Sequence, residues 1–153
     1  MLSNYSHKMF SAKQTKQFAG FLAKEILKKQ PEPKNALVLA LVGDLGAGKT
    51  TFVQGFLRAV GIKKKITSPT FVLIKTYKLT NLKTYKLIYH IDCYRIKKSK
   101  ELLALGLKEI LNNPHNIILI EWPERIKNIL PKDSIWIKFE YGEKENEKII
   151  QIN

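Results

Sequence analysis

The chain has 153 residues and 44% hydrophobic content, the size of one ordinary domain and a composition that excludes general disorder. Its 27 Lys+Arg against 13 Asp+Glu give a formal charge of +14, and arginine occurs only at Arg58, Arg95 and Arg125. That charge favours an anionic partner such as nucleotide, RNA or an acidic protein, although a lysine-rich proteome would produce it too; so few arginines speak against base readout by guanidinium forks.

The charge is uneven. Residues 56–110 carry 13 basic and 3 acidic side chains, whereas 133–153 carry 3 basic and 5 acidic. The lone Cys93 excludes an internal disulfide and fits a reducing compartment. Met1–Phe10 is polar and lacks the layout of a signal peptide. The longest apolar run, Ala36–Val42, is far shorter than the roughly 20 residues of a membrane span. A cytoplasmic protein is expected.

In chain order, Ser11 is placed to cap a helix running to about Lys29, with Phe18, Phe21, Leu22 and Ile26 at helical spacing. Pro31 and Pro33 end it. Ala36–Val42 is apolar without alternation, as in a strand buried on both faces of a parallel sheet. A helix from Lys49 to about Val60 follows, stopped by Gly61. Phe71–Leu79 and Thr84–Ile91 read as strands joined by a hairpin turn at Thr80–Lys83. Ser99 is placed to cap a helix from Lys100 to about Leu111. Asn116–Glu121 is a second buried strand, and Pro123 suits the first turn of a short helix to Leu130. Ile135–Glu140 and Lys148–Ile152 complete the strands. The order predicts one α/β domain over 1–153: a three-layer P-loop NTPase-like fold with a mainly parallel sheet and an inserted β-hairpin.

Gly43-Asp44-Leu45-Gly46-Ala47-Gly48-Lys49-Thr50 matches G-x-x-x-x-G-K-[ST] in full, between a buried strand and a helix, which is the context the motif requires. Its glycines let backbone N–H groups turn inward around phosphate oxygens, and the helix N-terminus adds partial positive charge. Lys49 reaches for the β- and γ-phosphates, Thr50 supplies a hydroxyl for magnesium, and Thr51 is a candidate for the α-phosphate.

Phosphoryl chemistry also needs an acid for the metal and a group to place the nucleophile. Asp92 and Glu121 each close a strand, where ligands of open parallel sheets bind. Glu121, ending an apolar run, resembles a Walker-B acid. Thr67-Ser68-Pro69-Thr70 follows the loop by about twenty residues, the region where GTPase-like domains sense the γ-phosphate. His90 alternates with Asp92, so both face one side. His7, His90 and His115 share no ligand spacing, which argues against a zinc site.

Four motifs then coincide in order: the loop through Thr51, Ser68-Pro69-Thr70-Phe71, His90-Ile91-Asp92-Cys93-Tyr94-Arg95 and Glu121-Trp122-Pro123-Glu124. With them the sequence resembles the TsaE (YjeE) family of small bacterial P-loop ATPases over nearly its whole length. The resemblance implies a part in forming N6-threonylcarbamoyladenosine in tRNA. It implies ATP and Mg²⁺ as cofactors and the TsaD–TsaB complex as partner, with tRNA met through that complex. The family's isolated ATPase is weak, and its members are not the transferase. By position, Thr50 and Glu121 correspond to magnesium-binding residues, and Asp92 to the family's functional aspartate. Lys49, Asp92 and Glu121 form the implied catalytic set. Ser68, Thr70, Tyr94 and Arg95 correspond to a switch-like region. Trp122 follows the glutamate as in the family, and core packing is its plain alternative. One departure stands out: Gly142-Glu143-Lys144-Glu145-Asn146 lacks the arginine that members often carry, leaving Lys144 or Lys148 without a planar fork. Two rival readings are a small-molecule P-loop kinase, which would need an arginine-bearing lid, and a lysine-rich RNA-binding module.

Overall fold

The computed structural model describes residues 5–29, 32–67 and 73–153. The elements are β1 (Tyr5–Met9), α1 (Ala12–Lys28), β2 (Leu37–Gly43), α2 (Lys49–Ala59), β3 (Ile74–Lys78), β4 (Leu87–Asp92), α3 (Lys100–Leu103), α4 (Leu107–Asn112), β5 (Asn116–Glu121), a 3-10 helix (Pro123–Ile129), β6 (Ile135–Tyr141) and β7 (Lys148–Ile152). The strands form one sheet ordered β1-β7-β6-β2-β5-β4-β3. Strand β2 pairs in parallel with both β5 and β6, and β4 pairs in parallel with β5. The flanks are antiparallel, and β3–β4 is the inserted hairpin.

Strand β2 shows why the sheet is covered on both sides. Its side chains alternate between faces. Leu37, Leu39 and Leu41 join the core built with α1 and α2, while Val38 joins Ile91, Ile118 and Ile120 in the core beneath α3, α4 and the 3-10 helix. The result is three layers, helix on sheet on helix. Each fully buried Leu, Ile or Phe side chain contributes about 1.5–3 kcal/mol. Two opposed apolar faces therefore outweigh the weak β-propensity of Ala40 in the middle of β2.

Helix α1 begins where Ser11 Oγ accepts the Gln14 amide at 3.1 Å. Its inner face is Thr15, Ala19, Leu22, Ala23 and Ile26. Phe21, expected on that face, is instead 62% exposed. At 3.6 residues per turn it lies roughly 140° round the helix from the centre of the buried stripe. Small residues hold the inner face because α1 and α2 approach closely. A Cβ at Gly55 would lie 2.5 Å from Lys16 Cα, so only glycine fits there.

The expected helix 100–111 is two short helices, α3 and α4, separated by a turn at Gly106. Leu102, Leu107 and Leu111 are all buried. On one straight helix Leu102 and Leu107 would point roughly 140° apart; the break lets both face the sheet. Ser99 makes no capping bond; Glu101 Oε1 instead accepts the amides of Lys97 and Lys98. Strand β1 is not predicted by the sequence pattern. It is an edge strand on β7, and Met9 is its one buried residue. It carries none of the alternation that identifies a half-buried strand. Among the described residues no helix is long and apolar enough to cross a membrane.

Candidate functional site

The loop from Gly43 to Thr51 joins the end of β2 to the start of α2, beside the ends of β4 and β5. Gly48 sits at the helix N-cap with φ 109, a left-handed backbone that glycine adopts without a Cβ penalty. No side chain caps α2 and no acid lies in its first turn. Its first amides and the positive end of its dipole are thus left for an anion.

Lys49 is 5% exposed. Its Nζ donates to the Gly43 carbonyl and, at 2.9 Å, to the Asp44 carbonyl. The ammonium also lies 4.3 Å above the Trp122 ring. Burial pushes its pKa below the usual lysine value, and the carboxylates of Glu121, Glu124, Asp92 and Asp44 pull the other way. A cation already stripped of water binds phosphate oxygen with little further desolvation cost.

Thr50 Oγ1 donates to Glu121 Oε1 at 2.9 Å. The other oxygen, Oε2, lies 2.6 Å from His90 Nε2, and both groups are buried. Asp92 stands opposite Glu121 in the β4–β5 register, 4% exposed, and its Oδ1 accepts the Tyr94 amide at 2.9 Å. The Tyr94 and Trp122 rings are 5.0 Å apart. Trp122 holds φ 58 and ψ 48, a left-handed conformation costing a bulky residue about 1–2 kcal/mol. That strain aims its ring across the loop toward Lys49. A cavity of about 300 Å³ lies among Gly46, Lys49, Thr50, Asp92, Glu121 and Trp122. A second, of about 350 Å³, lies on the other side of Gly46, Gly48 and Thr51, against Thr15 and Lys148. A hydroxyl and a carboxylate brought together beside turned amides and a desolvated lysine are hard oxygen and cation donors of the kind that suit Mg²⁺ and phosphate.

The family model for threonylcarbamoyl adenosine biosynthesis protein TsaE matches residues 9–150. The chain belongs to the TsaE family. A TsaE protein of Haemophilus influenzae is 39% identical over 76% of this chain and 70% of its own length. One from Rickettsia typhi is 44% identical over 81% of this chain and 78% of its own. The crystal structure of Bacillus subtilis YdiB superposes with a TM-score of 0.74 at 30% identity, covering 99% of this chain and 86% of that one. The P-loop NTPase-like architecture expected from sequence is therefore the TsaE architecture.

Within this TsaE chain, Asp44 and Leu45 are exposed on the loop tip, and Ala47 is buried beneath it. Lys49, Thr50, Glu121, Asp92, Tyr94 and Trp122 converge around one cavity. Arg95 is exposed and does not line it. Ser68 and Thr70 lie outside the described residues. Three contributors lie outside the expected catalytic and loop set. His90 braces Glu121; its alternation with Asp92 and its place at the head of the His90–Arg95 motif are the signals that point to it. The Tyr141 hydroxyl donates to the Leu45 carbonyl, buttressing the loop from β6. Of the two lysines weighed for the missing arginine, Lys148 lines the second cavity, whereas Lys144 does not and sits over the Phe10 ring. Tyr141 has no sequence-local mark, and nothing local separates Lys148 from Lys144, because β6 and β7 reach the loop only through sheet pairing.

Proposed function

We propose that this TsaE chain binds and hydrolyses ATP with Mg²⁺ at the Gly43–Thr51 loop, as the nucleotide-driven accessory of the TsaD–TsaB complex in tRNA threonylcarbamoyladenosine formation. The observation that carries the reading is the Thr50–Glu121 contact beside the desolvated Lys49. The whole chain, 1–153, serves as one such unit in the cytoplasm.

Each residue has a task. The amides of Gly46 and of Gly48 to Thr51 cradle phosphate oxygens, while the Ala47 amide closes the loop's own turn on the Asp44 carbonyl at 3.1 Å. Lys49 leaves its carbonyl partners for the terminal phosphates. Thr50 and Glu121 hold the metal, directly or through water. His90 fixes the Glu121 carboxylate so that one oxygen faces Thr50. Asp92 orders water or metal solvent at the strand end. Bound ATP–Mg²⁺ supplies the phosphoanhydride to be cleaved and the metal charge that neutralises it. Tyr94, Arg95 and Trp122, with the 67–71 segment, report the phosphate state to the partner. Thr67 already accepts the Lys75 ammonium from β3 at 2.8 Å, a link between that segment and the hairpin.

Slow hydrolysis by the isolated chain is part of the same proposal. Both Glu121 oxygens are engaged by Thr50 and His90, an arrangement that fits a site completed by a partner. The test is reconstituted modification of tRNA by TsaD and TsaB with and without this chain. Repeated turnover only when the chain and ATP are both present supports the reading; equal turnover without it refutes the role.

A further inference from the structure

A groove of about 960 Å³ lies along α1 and the C-terminal half of α2. Lys13, Lys16 and Lys24 line it from α1, Arg58 from α2, and Lys64 and Lys65 from the segment beyond. Among the described residues no acidic side chain lines it. All six cations are exposed, and none is in a salt bridge with a described residue. Phe21, 62% exposed, lies among them. The groove shares no lining residue with the two cavities flanking the loop.

Six like charges around one concavity repel each other, and a polyanion relieves that repulsion. Lys13 to Lys24 is eleven residues of helix, or about 16 Å, so the charges form a track rather than a point site. The floor contains Gly20, Gly55 and Ala59. Protein partners are anchored by clusters of large apolar side chains, and among the described residues Phe21 is the one exposed large apolar side chain lining this groove. A nucleic-acid strand needs a basic groove for its backbone and an exposed aromatic face for a base, and both are present. Lysines act as point charges for phosphates without requiring arginine forks. The family's place in tRNA modification makes RNA the polyanion at hand.

We propose that this groove binds a single-stranded segment of RNA, with phosphates on the six cations and a base stacked on Phe21. The site is separate from the nucleotide site and does not depend on hydrolysis. It adjoins it mechanically: Gln54 Nε2 on α2 donates to the Ile66 carbonyl at 2.9 Å, and α2 starts at Lys49.

The experiment is fluorescence anisotropy with a labelled mixed-sequence single-stranded oligoribonucleotide across a salt series. Saturable binding is expected to weaken at least about tenfold in Lys16→Glu/Lys24→Glu, with the log–log salt slope shallower by about 0.7 for each phosphate no longer neutralised. Phe21→Ala and Phe21→Leu should each weaken binding about fivefold or more at unchanged slope, and Phe21→Tyr should retain it. Lys100→Glu/Lys108→Glu, on α3 and α4 away from the groove, is the control of equal charge change and should weaken binding far less. Absence of saturable binding overturns the proposal, as does an equal effect of Lys100→Glu/Lys108→Glu. Displacement of the RNA by polyglutamate, with the Phe21 variants binding normally, would assign the groove to an acidic polypeptide and also overturn it.

Discussion

Thr50 Oγ1 and Glu121 Oε1, 71 positions apart in sequence, meet at 2.9 Å and join the first turn of α2 to the end of β5. The contact sets a hydroxyl and a carboxylate side by side at the strand ends. His90 holds the far oxygen of the same carboxylate at 2.6 Å. The pair is thus a positioned oxygen site, and the variants below separate its chemistry from its packing.

Glu121→Gln preserves volume and keeps one acceptor oxygen for Thr50, while it removes the charge and replaces the second oxygen with an amide donor facing His90. It should keep nucleotide binding and lower hydrolysis about a hundredfold, the scale of losing one preorganised electrostatic group. Glu121→Ala leaves Thr50 and buried His90 without their partner and should also cost about 1–3 kcal/mol of stability. Chemical denaturation with parallel ATPase assays reads both. Lys144→Ala, at a residue that does not line the cavity, should impair hydrolysis less than either; the reverse ranking would refute the metal assignment.

Lys49→Ala should weaken ATP binding by about a hundredfold, in line with the loss of one or two charged hydrogen bonds. Titration calorimetry measures it. Burial lowers the Lys49 pKa, so the folded chain holds this proton less tightly than the unfolded chain. The associated penalty is present below the folded pKa and disappears as pH rises toward the unfolded value of 10.5. Phosphate stabilises the charged form, so ATP binding at alkaline pH should take up a proton, detected as a buffer-dependent binding enthalpy that Lys49→Ala abolishes.

Trp122 lies 4.3 Å from the Lys49 ammonium and stacks near Tyr94. Drawing that ammonium onto phosphate should change the indole environment. In a Trp136→Phe background, which leaves Trp122 as the one tryptophan, ATP should shift the emission, and Lys49→Ala should remove the response. An unresponsive indole at saturating ATP would contradict the placement of Lys49 between ring and nucleotide.

Cys93 is fully buried, and burial, then Asp92 and Glu124, push its thiol up from 9.0 to about 12. The folded thiol stays neutral where the unfolded one ionises. The unfolded chain then binds fewer protons, so stability falls by about 1.4 kcal/mol per pH unit between those values. Cys93→Ala should show a shallower alkaline loss in denaturant midpoints. At neutral pH the native thiol should resist alkylation until the chain unfolds.

Much of this is legible in the residues. The loop motif, the uninterrupted apolar runs of β2 and β5 and the strand-end acids each carry a local mark, and the folded chain brings Lys49, Thr50, Asp92 and Glu121 together. What escapes a reading of the sequence is what tertiary pairing decides. Strand β1 exists because β7 offers an edge, not because its sequence alternates. Phe21 shares helical spacing with Leu22 and Ile26, yet close α1–α2 packing assigns the inner face to alanines. The helix break at Gly106 follows from burying Leu102 and Leu107 together. Tyr141 and Lys148 reach the loop through the β6–β7 hairpin, a proximity that no sequence spacing records.

The most direct test of nucleotide-driven partnership is ATP hydrolysis by the chain alone and with the TsaD–TsaB pair, using Glu121→Ala as the control. Slow turnover alone, clear stimulation by the pair and no stimulation of Glu121→Ala are predicted. Fast hydrolysis by the isolated chain, indifferent to the pair, would contradict the account.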